Sequence, residues 1–356
     1  MNEFACFGAQ EYSPRLGTGS EQMGLTISGT PKRDAPVFIV GCIRSGTTLL
    51  YHMLLSAGGF AVYRSESNVF NLLEPRFGDL SISRNRERLM KAWLDSKLFA
   101  VSGLDAEQIR AKVLAEASNG GNFLRIVMGE IARKQGMHRW ADCTPDHLAY
   151  LPRIKETIPD ALIIHIIRDP RDVALSSEKQ RFIRPLPWDR TPPTMVAGLY
   201  WEWIVSRGRK DSQQLGKDYI EVRFEDLVAD PSAVLGKIGV FIDQEIDHQR
   251  ILNVGIGSVS HPNTSFHEST EGTVFSPVGR WRSKFPPNEL IAFESLVGGS
   301  MEALGYPLAT ADRTLLERAD LRRMRTLYHW YFDSKFYLRA KTPLGPWFVT
   351  HDLSWL

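Results

Sequence analysis

Apolar residues along this chain fall into two kinds of run: short unbroken ones, and longer ones that recur every three or four positions. Val37–Val40 and Ala161–Ile167 are unbroken and rich in β-branched residues, as strands buried on both faces of a parallel sheet are. Tyr219–Phe224 reads as a further strand and Phe60–Tyr63 as a short one. Between the first run and the apolar-periodic stretch Thr47–Leu55 lies a glycine-containing turn, Gly41 to Gly46. Strand, tight turn, helix is how a parallel α/β sheet begins. Across residues 84–135 the apolar positions keep a helical period: Leu89, Trp93, Leu94 and Leu98, then Ile109, Val113 and Leu114, then Phe123, Ile126, Val127 and Ile131. Helices are also predicted over 194–215, 231–241, 288–304 and 311–332, and Pro170 suits the first turn of the helix that follows Ala161–Ile167. Residues 255–280 are rich in Gly, Ser, Thr and Pro and have no period, so a long loop is expected there. The pattern predicts an α/β fold, a parallel β-sheet flanked by helices with a helical cap inserted at 84–135. Residues 1–35 are expected to be a poorly ordered leader, 36–305 the α/β domain, and 306–356 a C-terminal helix and aromatic tail.

Composition narrows the function classes. Of 356 residues, 43% are apolar and 24% charged, ordinary for a globular chain with a large core. A net charge of +2 gives no electrostatic case for a nucleic-acid partner, while leaving room for a local basic pocket that takes a small polyanion. Cys6, Cys42 and Cys143 are few and widely spaced, so neither a disulfide framework nor a zinc site is expected. No run approaches the ~18 apolar residues of a membrane span, and the leader has no signal-peptide core. A cytoplasmic enzyme without a metal is the expectation.

The turn Gly41–Thr48 has Walker spacing, GxxxxGK[ST], with Thr47 in place of the lysine. A loop between a strand and a helix N-terminus aims backbone N–H groups and the positive end of the helix dipole at a phosphate, and that part is intact. The lysine that neutralises a triphosphate is missing. A 5′-phosphate bearing a sulfate carries less charge, and Arg44 inside the turn supplies a cation, with Ser45, Gly46, Thr47 and Thr48 as hydroxyl and amide donors. The fold expected is therefore of P-loop type. A nucleotide kinase shares that fold and is the alternative enzyme; a non-catalytic nucleotide-binding relative is the other.

The string Arg44–Leu49, RSGTTL, resembles the 5′-phosphosulfate motif of sulfotransferases that use 3′-phosphoadenosine-5′-phosphosulfate (PAPS), in the form found in tyrosylprotein and bacterial enzymes, with Ile43 where proline is usual. The resemblance implies a second anchor, an arginine ending a buried strand and a serine eight residues on, both on the donor's 3′-phosphate; Arg168 and Ser176 match it. An arginine leaving the carboxyl end of a parallel strand lies in the crevice where such sheets bind ligands, and its planar fork suits a phosphate. Val222–Val228 is similar to the family's VRYEDLV, with Phe224 for tyrosine. Val278–Arg282 is similar to its GRWR segment, which implies Arg280 or Arg282 near the 3′-phosphate and Trp281 beside the adenine. The implied reaction moves a sulfo group from PAPS to a hydroxyl or amine, leaving adenosine 3′,5′-bisphosphate (PAP).

For the chemistry, Arg44 is the expected stabiliser of the transferred group and Glu66, matching a catalytic glutamate of tyrosylprotein sulfotransferases after a one-residue insertion, the expected base. His147 in Asp142–His147 is the second candidate base, and His165 reads as a core residue. Cys143 stands where relatives carry a catalytic lysine, and Arg181 or Lys179 is a possible replacement cation. The expected acceptor is a small molecule, glycan or lipid hydroxyl. Phe70, Trp93, Phe99 and Phe123 suit either a pocket lining or the cap core. The tail from Tyr328 to Trp347, aromatic and basic, suits docking on the domain, a homodimer contact or a membrane surface.

Overall fold

The computed structural model describes residues 31–180, 183–260, 276–310 and 319–349. Strand β1 (Val37–Val40) is followed by helix α1 (Thr47–Ala57) and then by α2 (Ser83–Leu94), α3 (Ala106–Glu116) and α4 (Gly120–Lys134). Next come β2 (Ala141–Asp142), β3 (Leu162–Ile167), α5 (Pro170–Gln180), α6 (Pro193–Ser212), β4 (Tyr219–Arg223), α7 (Pro231–Ile242), α8 (Pro287–Ala303) and α9 (Ala319–Lys341). The strands form one parallel sheet in the order β2-β1-β3-β4, with Val37 opposite both Ala141 and Leu162, and Ile163 opposite Tyr219.

Both faces of the sheet are covered. Phe38, Val40, Ile163 and Ile167 enter a core shared with the cap and with α5, α6 and α8. Val37, Ile39, Leu162, Ile164 and Ile166 enter a second core with α1 and α7. This is why the strands lack a polar alternation: each side chain that turns to either face meets a helix, and each such burial stabilises by about 1.5–3 kcal/mol. Helix starts follow local signals. Asp105 accepts from Gln108 N–H, Asn119 from Asn122 N–H and Asp230 from Ala233 N–H, while Pro170, Pro193 and Pro231 open α5, α6 and α7.

The helical segment expected over 84–135 is α2 to α4. Its aromatics are core: Phe70, Trp93 and Phe123 are buried, and Trp93 meets Phe99 and Phe123 edge-on at 5.3 and 5.7 Å. The short strand expected at Phe60–Tyr63 is reduced to a single bridge between Phe60 and Arg139. Beyond it, Val62 exchanges both backbone hydrogen bonds with the Gln135 side chain, at 2.7 and 3.0 Å, so a side-chain amide takes the place of a neighbouring strand. The leader lies outside the described residues except for 31–35, which contain the turn Lys32–Asp34.

Helix α9 runs to Lys341, past the expected 332, because no breaker intervenes before Pro343. It docks on α6 through Tyr328 and Phe332, and leaves Trp330 and Tyr337 exposed. One buried carboxylate holds it. Glu202 of α6 accepts from Arg325 Nε and Nη2, both at 2.8 Å, and from Ser300 Oγ of α8 at 2.5 Å, with His329 Nε2 3.0 Å away. Burial pushes the Glu202 carboxyl up, but the groups of His329, Arg325 and Ser300 outweigh it and hold it at about 2. Because the folded-state value lies below the unfolded one, the stabilisation is complete above about pH 4.5 and fades as pH falls towards 2. Glu202→Gln is expected to destabilise the protein by about 1–3 kcal/mol at neutral pH, and urea denaturation should find that difference shrinking below about pH 4.5.

Candidate active site

The turn after β1 is built from close approaches. A Cβ on Gly41 would lie 2.5 Å from the Ile166 carbonyl oxygen of β3, so only glycine lets the loop leave the sheet there. Arg44 and Gly46 have φ of 69° and 95°, the left-handed turns that aim the loop back at the N-terminus of α1. For Arg44, a non-glycine residue, that conformation is strained, and strain of this kind persists where the surroundings fix it. No side chain caps α1, which leaves its first amides directed at the loop. The Ser45 hydroxyl is buried without a hydrogen-bond partner.

A second set of residues arrives from β3 and α5. Arg168, directly after β3, donates through Nη1 to the Arg44 carbonyl at 2.9 Å and through Nη2 to the Pro277 carbonyl at 2.5 Å. Its guanidinium lies over the Phe224 ring, 4.5 Å from the centroid, and its buried Nε has no partner. Ser176, two turns into α5, accepts from Arg44 Nε at 2.7 Å. The two sequence-predicted anchors therefore form one constellation. Burial first, and then mutual repulsion, depresses the Arg44 guanidinium. Burial likewise depresses Arg168, opposed by Asp172 and Glu225 and reinforced by Arg280. An anion among these cations would relieve both the repulsion and the lost hydration.

The acidic residues around Arg168 have a structural task. Asp172 accepts from the amides of Gly279 and Trp281 at 2.8 and 3.0 Å, which pins the 278–282 segment onto α5. Arg171 pairs with Asp169 and with Glu294 of α8, both at 2.7 Å, and lies 3.6 Å from the Trp281 ring centroid. Trp281 is thus buried under Arg171, with Arg282 4.4 Å from the same centroid, and here it packs the scaffold instead of presenting an open face.

Glu66 lies in the stretch between Tyr63 and the irregular turn Val69–Leu73. It is crowded by protein but open to solvent on one side. That crowding, then repulsion from Asp146 and Asp142, raises its pKa to about 7 against an opposing hydrogen bond from Asn68. Water screens part of the effect, and what remains is a carboxyl shifted towards neutrality, where a general base works best. His147 is not available for that role. It is fully buried, with Nδ1 2.9 Å from Asp142 Oδ2 and Nε2 accepting from Phe70 N–H at 3.3 Å. His165 is a core residue, held near 3 by burial and by Arg209, with Nδ1 2.6 Å from the Tyr219 hydroxyl. Cys143 is buried beside Thr47, with its thiol pushed up by burial and by Glu66 and Asp142. Lys179 is exposed on α5, and Arg181 lies outside the described residues.

A family model described as "Sulfotransferase family" matches residues 36–248, more than half of the chain. The chain belongs to the sulfotransferase family. The chain is 25% identical over 193 residues to carbohydrate sulfotransferase 5 of Mus musculus, across 48% of this chain and 47% of that protein. The chain thus spans about half the length of the curated relative it matches. Among solved structures it is similar to the sulfotransferase domain of the Synechococcus PCC 7002 olefin synthase, with 23% identity and a TM-score of 0.49 over 77% of this chain and 95% of the other. It is also similar to mouse sulfotransferase SULT7A1 complexed with PAP, with 14% identity and a TM-score of 0.40 over 84% and 89% of the two chains. The sulfotransferase fold here is the P-loop type, the loop joining β1 to α1 at the carboxyl end of a parallel sheet. Among the described residues no helix is long and apolar enough to cross a membrane, and no group of three potential metal ligands occurs.

One contributor is not legible in the sequence, the Phe224 ring on which the loop rests: a Cβ on Gly46 would come within 2.3 Å of it. Gly46→Ala, strained by its φ of 95° as well, is expected to cost about 1–3 kcal/mol in urea denaturation.

Proposed function

We propose that this sulfotransferase transfers the sulfo group of PAPS to a hydroxyl-bearing acceptor and releases PAP. The observation that carries the reading is the meeting of Arg44, Arg168 and Ser176 at the carboxyl ends of β1 and β3, with Arg44 Nε 2.7 Å from Ser176 Oγ and Arg168 Nη1 2.9 Å from the Arg44 carbonyl. The amides of the loop and of α1, the orphan Ser45 hydroxyl and Arg44 suit the 5′-phosphosulfate. Arg168, through its unpartnered Nε, and Ser176 suit the 3′-phosphate, with Arg280 adding positive charge nearby. Such a paired set fits a donor with phosphate at both ends better than a triphosphate. The resemblance of RSGTTL and of the Arg168–Ser176 spacing to the PAPS-dependent family supports the same donor.

When bound, PAPS supplies an activated sulfo group whose S–O bond to the 5′-phosphate breaks as the acceptor oxygen attacks. Glu66 accepts the acceptor's proton, and Arg44 offsets the negative charge that builds up between sulfur and the leaving phosphate oxygen. Positioning and charge stabilisation dominate, as in phosphoryl transfer. A glycan or other small hydroxyl compound is the acceptor class favoured, in keeping with the name of the mouse relative.

Turnover of radiolabelled PAPS over a panel of alcohols, sugars and phenols tests the reading. Binding of PAP with no transfer to any of them would leave a nucleotide-binding protein instead of an enzyme. Glu66→Gln should keep PAP affinity and lower kcat by about 10²–10⁴-fold, and kcat of the parent should rise with pH through about 7, where the Glu66 carboxyl loses its proton. Arg168→Ala should weaken PAP by at least about tenfold in calorimetry, by loss of charge-assisted hydrogen bonds. Unchanged PAP affinity in that variant would remove Arg168 from the 3′-phosphate.

A further inference from the structure

The stretch that carries Glu66 is held by its backbone from the end of β2. Asp142 closes that strand, and both of its carboxylate oxygens take hydrogen bonds from buried groups, the Ser67 hydroxyl among them. Oδ1 accepts from Thr144 Oγ1 at 3.3 Å, and Thr144 Oγ1 itself accepts from Asn68 N–H at 3.3 Å. Oδ2 lies 2.9 Å from His147 Nδ1, and His147 Nε2 accepts from Phe70 N–H at 3.3 Å. The Phe70 amide fixes Nε2 as the bare nitrogen, so the imidazole proton sits on Nδ1 and is donated to Asp142. Two relays thus run from one carboxylate to two backbone amides, two and four residues beyond Glu66.

No water competes for these groups: Asp142 is 3% exposed, and Thr144 and His147 are 0% exposed. The held stretch is itself shaped by the contact. Asn68 has φ 51°, its side chain donates to the Glu66 carbonyl at 3.4 Å, and its own carbonyl accepts from Leu72 and Leu73 at 3.1 and 3.0 Å to start the turn Val69–Leu73. At the other end, Asp142 is paired in register with Phe38 of β1, the strand that feeds the phosphate loop. The Glu66 stretch and the Gly41–Thr48 loop are therefore referenced to the same piece of sheet.

We propose that Asp142 is a positioning residue for sulfo transfer, setting the place of the Glu66 carboxylate relative to the phosphate loop through Thr144 and His147. This rests on the reading of Glu66 as the base. Asp142 acts by charge as well, since among the described residues it and Asp146 are charged groups facing Glu66, while Cys143 faces it as a buried neutral thiol. None of the nucleotide anchors takes part in either relay.

The test uses the full chain and the acceptor from the panel that gives the highest turnover. In Asp142→Asn an amide replaces one acceptor oxygen with a donor, so one relay breaks and a negative charge is lost. Its kcat should fall about 10–100-fold, with the KM for PAPS and the affinity for PAP within about twofold of the parent. The acid limb of its kcat–pH profile should move to lower pH, because repulsion of the Glu66 carboxylate is reduced. Thr144→Val breaks the other relay without changing charge, so kcat should fall while the limb stays in place, and Thr144→Ser should restore kcat. If Asp142→Asn does not fold, the Thr144 pair decides alone.

Parental kcat in both Asp142→Asn and Thr144→Val, with Glu66→Gln inactive, overturns this inference alone. Equal losses of kcat and PAP affinity also overturn it, since they mark general damage. Full activity in Glu66→Gln overturns the base reading, and this inference with it.

Discussion

Two guanidinium groups held close together inside a protein repel each other and have lost much of their hydration. Arg44 is in that position beside Arg168, lowered by burial and then by that charge, while Arg168 is lowered by burial with Arg280 adding to it. The surrounding structure makes the arrangement tolerable with neutral acceptors. Carbonyl oxygens of Arg44 and Pro277 take the Arg168 amines, a serine hydroxyl takes Arg44 Nε, and an aromatic face lies against Arg168. Oriented positive charge of this kind is what the proposed two-phosphate donor needs.

The carboxylates nearby are spent on scaffold. Asp172 takes two amides of the 278–282 segment, and Asp169 with Glu294 brackets Arg171 over Trp281. Glu202 does the same further out, tying α9 and α8 to α6. Asp172, Glu294 and Glu202 are buried carboxylates on helices, and each fixes an element distant in sequence. Such charges are costly to bury alone, and here each is matched by backbone amides or by arginine.

On the other side of the loop, Asp142 plays a comparable part for Glu66, but through neutral relays. The difference has a chemical consequence. A carboxylate base loses its usefulness when a cation sits against it, because its pKa falls. Glu66 faces carboxylates and a neutral thiol, which moves it the other way.

Much of this was legible in the sequence. Unbroken apolar runs gave β1 and β3, because a strand covered on both faces has no polar side to show. Gly41–Thr48 gave the loop, because only glycine permits its contacts, and the family resemblance singled out Arg168 and Ser176, which the fold brings against Arg44. The short strand at Phe60–Tyr63 misled, because local β-propensity says nothing about whether a partner strand is present; Gln135 supplied the bonds instead. His147 drew notice as a possible base, yet only its surroundings, Asp142 on one nitrogen and the Phe70 amide on the other, decided that it holds a loop. The sequence by itself determined the chemistry available: a phosphate turn, its arginines and a glutamate. Tertiary structure alone decided which arginines meet at the loop and which carboxylate titrates near neutrality, because both depend on burial and on neighbours brought from far along the chain.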